Sequence, residues 1–181
     1  MLTIQTLCDR YRVGERFDYL FFWGHSGNKV SKNCLSQWYP AGFEIDGVFY
    51  PTAEHYMMAS KAALFGDVSM HAKILIAQDA PTVKALGRKI SGFDQTIWDA
   101  NCSQIVIDGN FAKFSQIPEL KDYLLNTKNK ILVEASPYDN VWGIGLDENA
   151  NNIENPLVWK GANLLGFALM VVRDRLNRGD E

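Results

Sequence analysis

The sequence predicts a mainly α fold of the α+β class, a helical domain with a small, early β-element. Three observations predict it. Apolar residues recur at helical spacing through most of the chain beyond residue 52. Proline, glycine and small polar residues punctuate those stretches where helices start and stop. Strand signals are short and gather mainly before residue 51.

Taken in order, the aromatic run at 17–23 reads as a strand ended by Gly24-His25-Ser26-Gly27-Asn28. Phe43-Glu44-Ile45 and Val48-Phe49-Tyr50 alternate around Asp46-Gly47, a two-residue hairpin signal. Pro51-Thr52 stops the hairpin, and Thr52 caps a helix over 53–65 that Gly66 ends. Helical patterns follow at 68–77, 81–90 and 95–114, and another opens at Pro118 and continues through Leu125. A short strand is expected at 131–135 and a turn-rich loop at 136–145. Asn155 then caps, and Pro156 opens, a last helix reaching Arg178. Its stripe is Leu157, Leu164, Leu165, Ala168, Val172 and Leu176.

A chain of 181 residues suits one domain over 1–181, with its core at 17–178. Its 47% hydrophobic and 22% charged residues exclude wholesale disorder. A net charge of −3 with dispersed basic residues excludes a basic stripe for duplex nucleic acid, while leaving room for a pocket that holds one phosphate. The start, Met1-Leu2-Thr3-Ile4, lacks the charged head and apolar run of a secretion signal. The longest apolar stretch, 164–172, is broken by Gly166 and falls far short of the ~20 residues a bilayer crossing needs. The expectation is a cytoplasmic protein without membrane contact. Its oligomeric state is unassigned.

Cys8, Cys34 and Cys102 are odd in number and widely spaced, so they read neither as a disulfide framework nor as a zinc site. His25, His55 and His71 lack metal-ligand spacing. There is no Walker loop and no G-x-S-x-G elbow, and Gly143-Ile-Gly145 is too short for a dinucleotide fingerprint. No cofactor and no metal are expected.

Positions seven apart lie nearly on one line of an α-helix, so Glu54, Met58 and Lys61 share a face. The rise between Glu54 and Lys61 is ~10.5 Å, too long for a three- or four-residue ion pair. Two readings are open on pattern alone. Glu54 in a first turn and Lys61 near a last turn both suit the helix dipole of a solvated helix. Yet the segment 53–65 is apolar nearly all round, and a mostly buried helix makes its few charges candidates for a site.

Asp139 and Trp142 stand three apart in the loop 136–145, where they can present a carboxylate beside a flat ring or serve as a local turn and a core ring. Trp38 in Ser36-Gln-Trp-Tyr-Pro40 offers another stacking wall, with packing as its other use. Lys84, Arg88 and Lys89 suit either a phosphate or a solvated helix end.

An ordered set of fragments goes further: Leu35-Ser-Gln-Trp-Tyr-Pro40, Pro51-Thr-Ala-Glu-His55 with Lys61-Ala62, Leu86-Gly-Arg88, Lys113-Phe-Ser-Gln116, the loop 136–145, and Asn163-Leu-Leu-Gly166 followed by Arg173. The series resembles the YbiA-like, or NADAR, family from about Phe17 to Leu176. The resemblance implies a mainly α single domain and N-glycosidase activity. Members similar to YbiA hydrolyse ribosylamino-pyrimidine phosphates that open riboflavin synthesis; others remove ADP-ribose from guanine. The expected substrate is thus a small ribosylated base with phosphate, with ADP-ribosylated guanine as the alternative and a non-catalytic ADP-ribose-binding module as a third reading. The family pattern places functional positions at Glu54, Lys61, Asp139 and Trp142. Trp38, Arg88 and Gly143 complete the expected substrate contacts. One departure is Gln37-Trp38, where many relatives read Asn-Phe, which alters the expected base-stacking wall. The resemblance implies Lys61 as covalent nucleophile, Glu54 as proton carrier and Asp139 as positioner of ribose or water, beside a direct attack by water.

Overall fold

The computed structural model describes residues 2–27 and 29–179; Asn28 of the first loop and the extreme ends of the chain lie outside them. The elements run α1 (Ile4–Arg12), β1 (Tyr19–Phe22), a 3-10 turn (Lys32–Leu35), β2 (Phe43–Ile45), β3 (Val48–Tyr50) and α2 (Ala53–Leu64). There follow α3 (Val68–Leu75), α4 (Ala80–Gly87), α5 (Gln95–Gln116), α6 (Pro118–Asn126), β4 (Ile131–Glu134), a second 3-10 turn (Pro156–Val158) and α7 (Leu164–Arg178). Helix dominates, as the periodicities predict.

The hairpin forms with Phe43 opposite Tyr50, and its turn residues Asp46 and Gly47 take φ of 52° and 76°. Positive φ at both is what a tight turn with the twist of the flanking strands requires. The Thr52 side chain accepts from the His55 N–H and starts α2 where expected. Asp67, Asp79 and Asp94 cap α3, α4 and α5 in the same way. In α2 only Ala63 is exposed, so the all-round apolar character of 53–65 marks a buried helix. It packs on α3, α4 and α5.

Two elements depart from the sequence reading. The last helix does not start at Pro156: Asn155 caps only a 3-10 turn, and α7 begins at Leu164. Between them the chain bonds to the 140–144 segment instead of to itself. The N–H groups of Lys160, Ala162 and Asn163 donate to Ile144, Asn140 and Gly143 carbonyls at 2.9, 3.0 and 3.0 Å. Asn163 then turns with φ of 54°, which ends any helical continuation from Pro156. Leu157, read as part of the stripe, is consequently 43% exposed, while Leu165, Ala168, Val172 and Leu176 are buried. The second departure is α1, which was not predicted. Thr3 and Thr6 form its capping box, and Leu7 is its one buried residue. A helix with a single buried position leaves little periodic signal.

β1 and β4 pair in parallel, Tyr19 with Ile131 through Phe22 with Glu134. Both strands therefore end at the same edge. The larger core cluster joins α2, α5 and α7 through residues such as Met57, Val106, Phe114 and Leu169. A smaller one, Leu7, Ile131, Val133, Ile144 and Phe167, fills the space behind β4.

Candidate active site

Beyond the carboxyl ends of β1 and β4 lies a cavity of about 480 Å³. Ligands of α/β sheets commonly sit outside the carboxyl ends of parallel strands, because the following loops splay there. Here the two loops bring Trp23, Gly24 and His25 from one side and Ser136, Tyr138, Asp139 and Trp142 from the other. Helix α2 supplies Glu54 and Lys61 to the same space, so the shared helix face of the sequence reading opens into the cavity.

Glu54 is fixed by its backbone as much as by its side chain. Its N–H donates to the Gln37 carbonyl at 3.0 Å, pinning the start of α2 beneath the 36–38 segment. Gln37 in turn accepts from the Asn110 amide of α5 at 2.6 Å. Lys113, fully buried, donates to the Cys34 and Ser36 carbonyls at 2.6 and 3.0 Å, holding the same segment from below. Burial pushes the Lys113 amine down to about 7. The Trp38 side chain, presented by this segment, lies close enough to the Glu54 carboxyl to favour its charged form. Burial nonetheless pushes that carboxyl up to about 7, against the pull of the Lys84 ammonium and the Trp38 indole.

Lys61 donates to the Gly87 carbonyl at 3.1 Å and lies over the rings of Phe93 and Trp98, 4.3 and 5.2 Å from their centroids. Burial lowers its basicity, and the Glu54 carboxylate opposes that shift. Gly87 brings α4 this close because a Cβ there would meet the Met58 sulfur at 2.1 Å. The Phe93 and Trp98 rings over the amine favour its charged form, against the effect of burial.

Asp139 combines both sequence readings. Its Oδ1 accepts from the Val141 and Trp142 N–H groups at 2.9 and 2.8 Å, a local turn, while Oδ2 faces the Lys84 ammonium at 4.0 Å. Trp142 likewise packs on the core and lines the cavity. Trp38 lines it with the His25 ring 5.5 Å away. Arg88 reaches the cavity from an exposed position; Lys89 does not line it. Gly143 also stays outside the lining. A Cβ there would meet the Glu134 and Asp139 carbonyls at 2.8 and 3.0 Å, so it lets the loop close tightly behind the site.

Sequence reading passed over Glu134 and Trp98 and left Lys84 outside the site. All three line the cavity. For Glu134 the signal was present: one acid ending an otherwise apolar strand, Ile131-Leu-Val-Glu134. Its N–H donates to Asn163 Oδ1 at 3.0 Å and its carbonyl accepts from Ile144 at 3.0 Å. His55, by contrast, is structural. One ring nitrogen meets the Thr52 hydroxyl at 2.8 Å and the other the Ala77 carbonyl at 3.2 Å. Among the described residues no group of three His, Cys, Asp or Glu side chains is placed to hold a metal ion, and no helix is long and apolar enough to cross a membrane.

Buried acids and an amine thus share one cavity with aromatic walls, on a helical α+β frame. The NADAR domain family model matches residues 21–177, and the chain belongs to that family. It is 46% identical over 163 residues to N-glycosidase R617 of Acanthamoeba polyphaga mimivirus, across 86% of this chain and 95% of that protein. It is 32% identical over 142 residues to riboflavin biosynthesis protein VVA0006 of Vibrio vulnificus, across 78% of this chain but 35% of that one. The NMR structure of the E. coli protein YbiA shares the fold with a TM-score of 0.74 at 27% identity, covering 91% of this chain and 88% of that one.

Proposed function

We propose that the chain hydrolyses the C–N glycosidic bond of ribosylamino-pyrimidine phosphates, the early intermediates of riboflavin synthesis. The chain is an enzyme, an N-glycosidase, as its relative R617 is named. The substrate class takes support from the riboflavin biosynthesis name of the Vibrio relative. The observation that carries the reading is the opening of Glu54 and Lys61, from one helix face, into one cavity of about 480 Å³ with Trp38 and Trp142 in its walls.

Lys61 attacks the anomeric carbon as a neutral amine, opens the sugar and forms a Schiff base that water later hydrolyses. Burial lowers its basicity toward the neutral form, while the facing Phe93 ring favours the ammonium. Glu54, poised at about 7, takes and returns protons on the Lys61 side. Asp139, held by two backbone N–H groups, orients the ribose or the hydrolytic water. Trp38 and Trp142 offer faces to the base, and Lys84 and Arg88 offer charge to the phosphate.

A second reading, removal of ADP-ribose from guanine, draws on one observation. Trp23 and Tyr138 lie 5.9 Å apart at the cavity, 45% and 86% exposed, an aromatic surface to spare for a second base. A turnover screen of both substrates, reading released ribose species, tests the proposal. Hydrolysis of the ribosylamino-pyrimidine phosphate is expected; turnover of ADP-ribosylated guanosine alone replaces it with the second reading, and turnover of neither removes both.

A further inference from the structure

The cavity holds one more acid than the proposed chemistry uses. Glu134 ends β4 with its backbone clamped on both sides, by Asn163 Oδ1 and by the Ile144 N–H, so its side chain enters the site from a rigid strand end. Asp139 spends one oxygen on two backbone donors, and Glu54 has the Trp38 side chain and the Lys84 ammonium to favour its charge. Glu134 Oε2 is sealed from solvent and has no hydrogen-bond partner among the described residues. A carboxylate is poorly served by such a place, since it lacks donors for its charge; a neutral acid, with a proton to give, is suited to it.

The charged groups within electrostatic reach of it are Asp139, Lys84 and Glu54. Burial comes first, then Asp139, in pushing the carboxyl up to about 8, with Lys84 opposing and Glu54 adding to the rise. Glu134 and Glu54 also come from different elements: α2 packs on α3, α4 and α5, whereas β4 packs on β1 and α7. A glycosyl bond held between them meets the amine and Glu54 from the helix and Glu134 from the strand. Two carboxyls with separate environments permit a division into acid and base.

We propose that Glu134 is the general acid of the reaction, a catalytic residue that protonates the departing base; this rests on the N-glycosidase reading. As the anomeric C–N bond breaks, its electron pair goes to the leaving nitrogen, which takes the Glu134 proton. The Lys61 amine forms the new bond to carbon, and its surplus proton passes to Glu54. The ring C–O bond then breaks as the Lys61 nitrogen's electron pair makes the imine, and the ring oxygen takes that proton from Glu54. Water gives a proton to Glu54 as it adds to the imine, and collapse of the adduct releases the sugar and the free amine. Glu54 returns its proton and Glu134 is reprotonated, so one water is consumed per bond cleaved.

The test compares two leaving groups. An amino-pyrimidine leaves from its ribosyl phosphate only with a proton, whereas the nitrogen of a ribosyl-pyridinium phosphate leaves neutral without one. Glu134→Gln is expected to lose roughly 10²–10⁴-fold in kcat on the first and to stay within about threefold of wild type on the second. Glu134→Asp, which keeps the acid, is expected to recover part of the first loss. On the amino-pyrimidine, the wild-type rate falls above about pH 8 as Glu134 gives up its proton, and the Gln variant lacks that fall. Equal losses on both substrates, undiminished activity on the first, or an Asp variant as inactive as Gln overturns the assignment while leaving the N-glycosidase reading intact. Wild type inactive on both substrates overturns that reading, and this assignment with it.

Discussion

Glu54 shows how surroundings set the protonation of a single residue. Its helix position suits an ionised first-turn acid, but 6% exposure leaves that charge poorly solvated and holds the proton to about pH 7. A carboxyl raised in this way is protonated below its pKa and competent as a base only above it. The rate of hydrolysis is therefore expected to climb as pH rises through about 7. Glu54→Gln should remove this acid limb and cost about 10²–10⁴-fold in kcat. A rate profile that keeps the limb in the Gln variant assigns it to another group. Lys61 follows the same logic with opposite sign, since burial favours the form without charge.

Among elements, the junction of β4 with α7 decides where the acids stand. Asn163 acts as a short extra strand, accepting from Glu134 N–H at 3.0 Å and donating to the Leu132 carbonyl at 2.9 Å. Gly166 lets α7 lie against that strand: a Cβ there would stand 2.0 Å from the Leu132 carbonyl oxygen. Gly166→Ala should thus destabilise the protein by about 1–3 kcal/mol or more, read by urea unfolding. It should also reduce turnover, because the strand must shift under Glu134. Unchanged stability and rate mean the helix has room to move away. This junction was hard to read beforehand. Asn163-Leu-Leu-Gly166 stood out as a fragment, yet the Asn155-Pro156 cap drew the helix start eight residues too early. Helical spacing does not reveal that residues 160–163 have carbonyl partners on another loop. The helix 53–65, the hairpin and α5 were legible because local capping, turn chemistry and tertiary burial agree there.

At the scale of the whole molecule, the cavity exists because strands far apart in sequence, Tyr19–Phe22 and Ile131–Glu134, end side by side. No local pattern encodes that pairing: Glu54, Lys61, Asp139, Trp38 and Trp142 are candidates from the sequence, whereas the lone acid ending the apolar run 131–134 gains its meaning only once the two strands lie side by side. α1 lies outside the residues 21–177 matched by the family, yet Leu7 is 0% exposed and packs with Ile131, Val133, Ile144 and Phe167 behind the site. Leu7→Ala is expected to lower stability by about 2–5 kcal/mol in urea unfolding, with KM little changed; a loss under 1 kcal/mol would make α1 an appendage. The two core clusters thus meet at β4, one supporting α7 and α5, the other supporting the loop that carries Asp139.

The proposed mechanism requires the Lys61 amine to bond to the sugar during turnover. Borohydride added to the working enzyme with ribosylamino-pyrimidine phosphate, followed by peptide mass spectrometry, tests it most directly. A reduced sugar adduct on Lys61, absent without substrate, is expected. Sustained hydrolysis with no adduct at Lys61 contradicts it and assigns the attack to water.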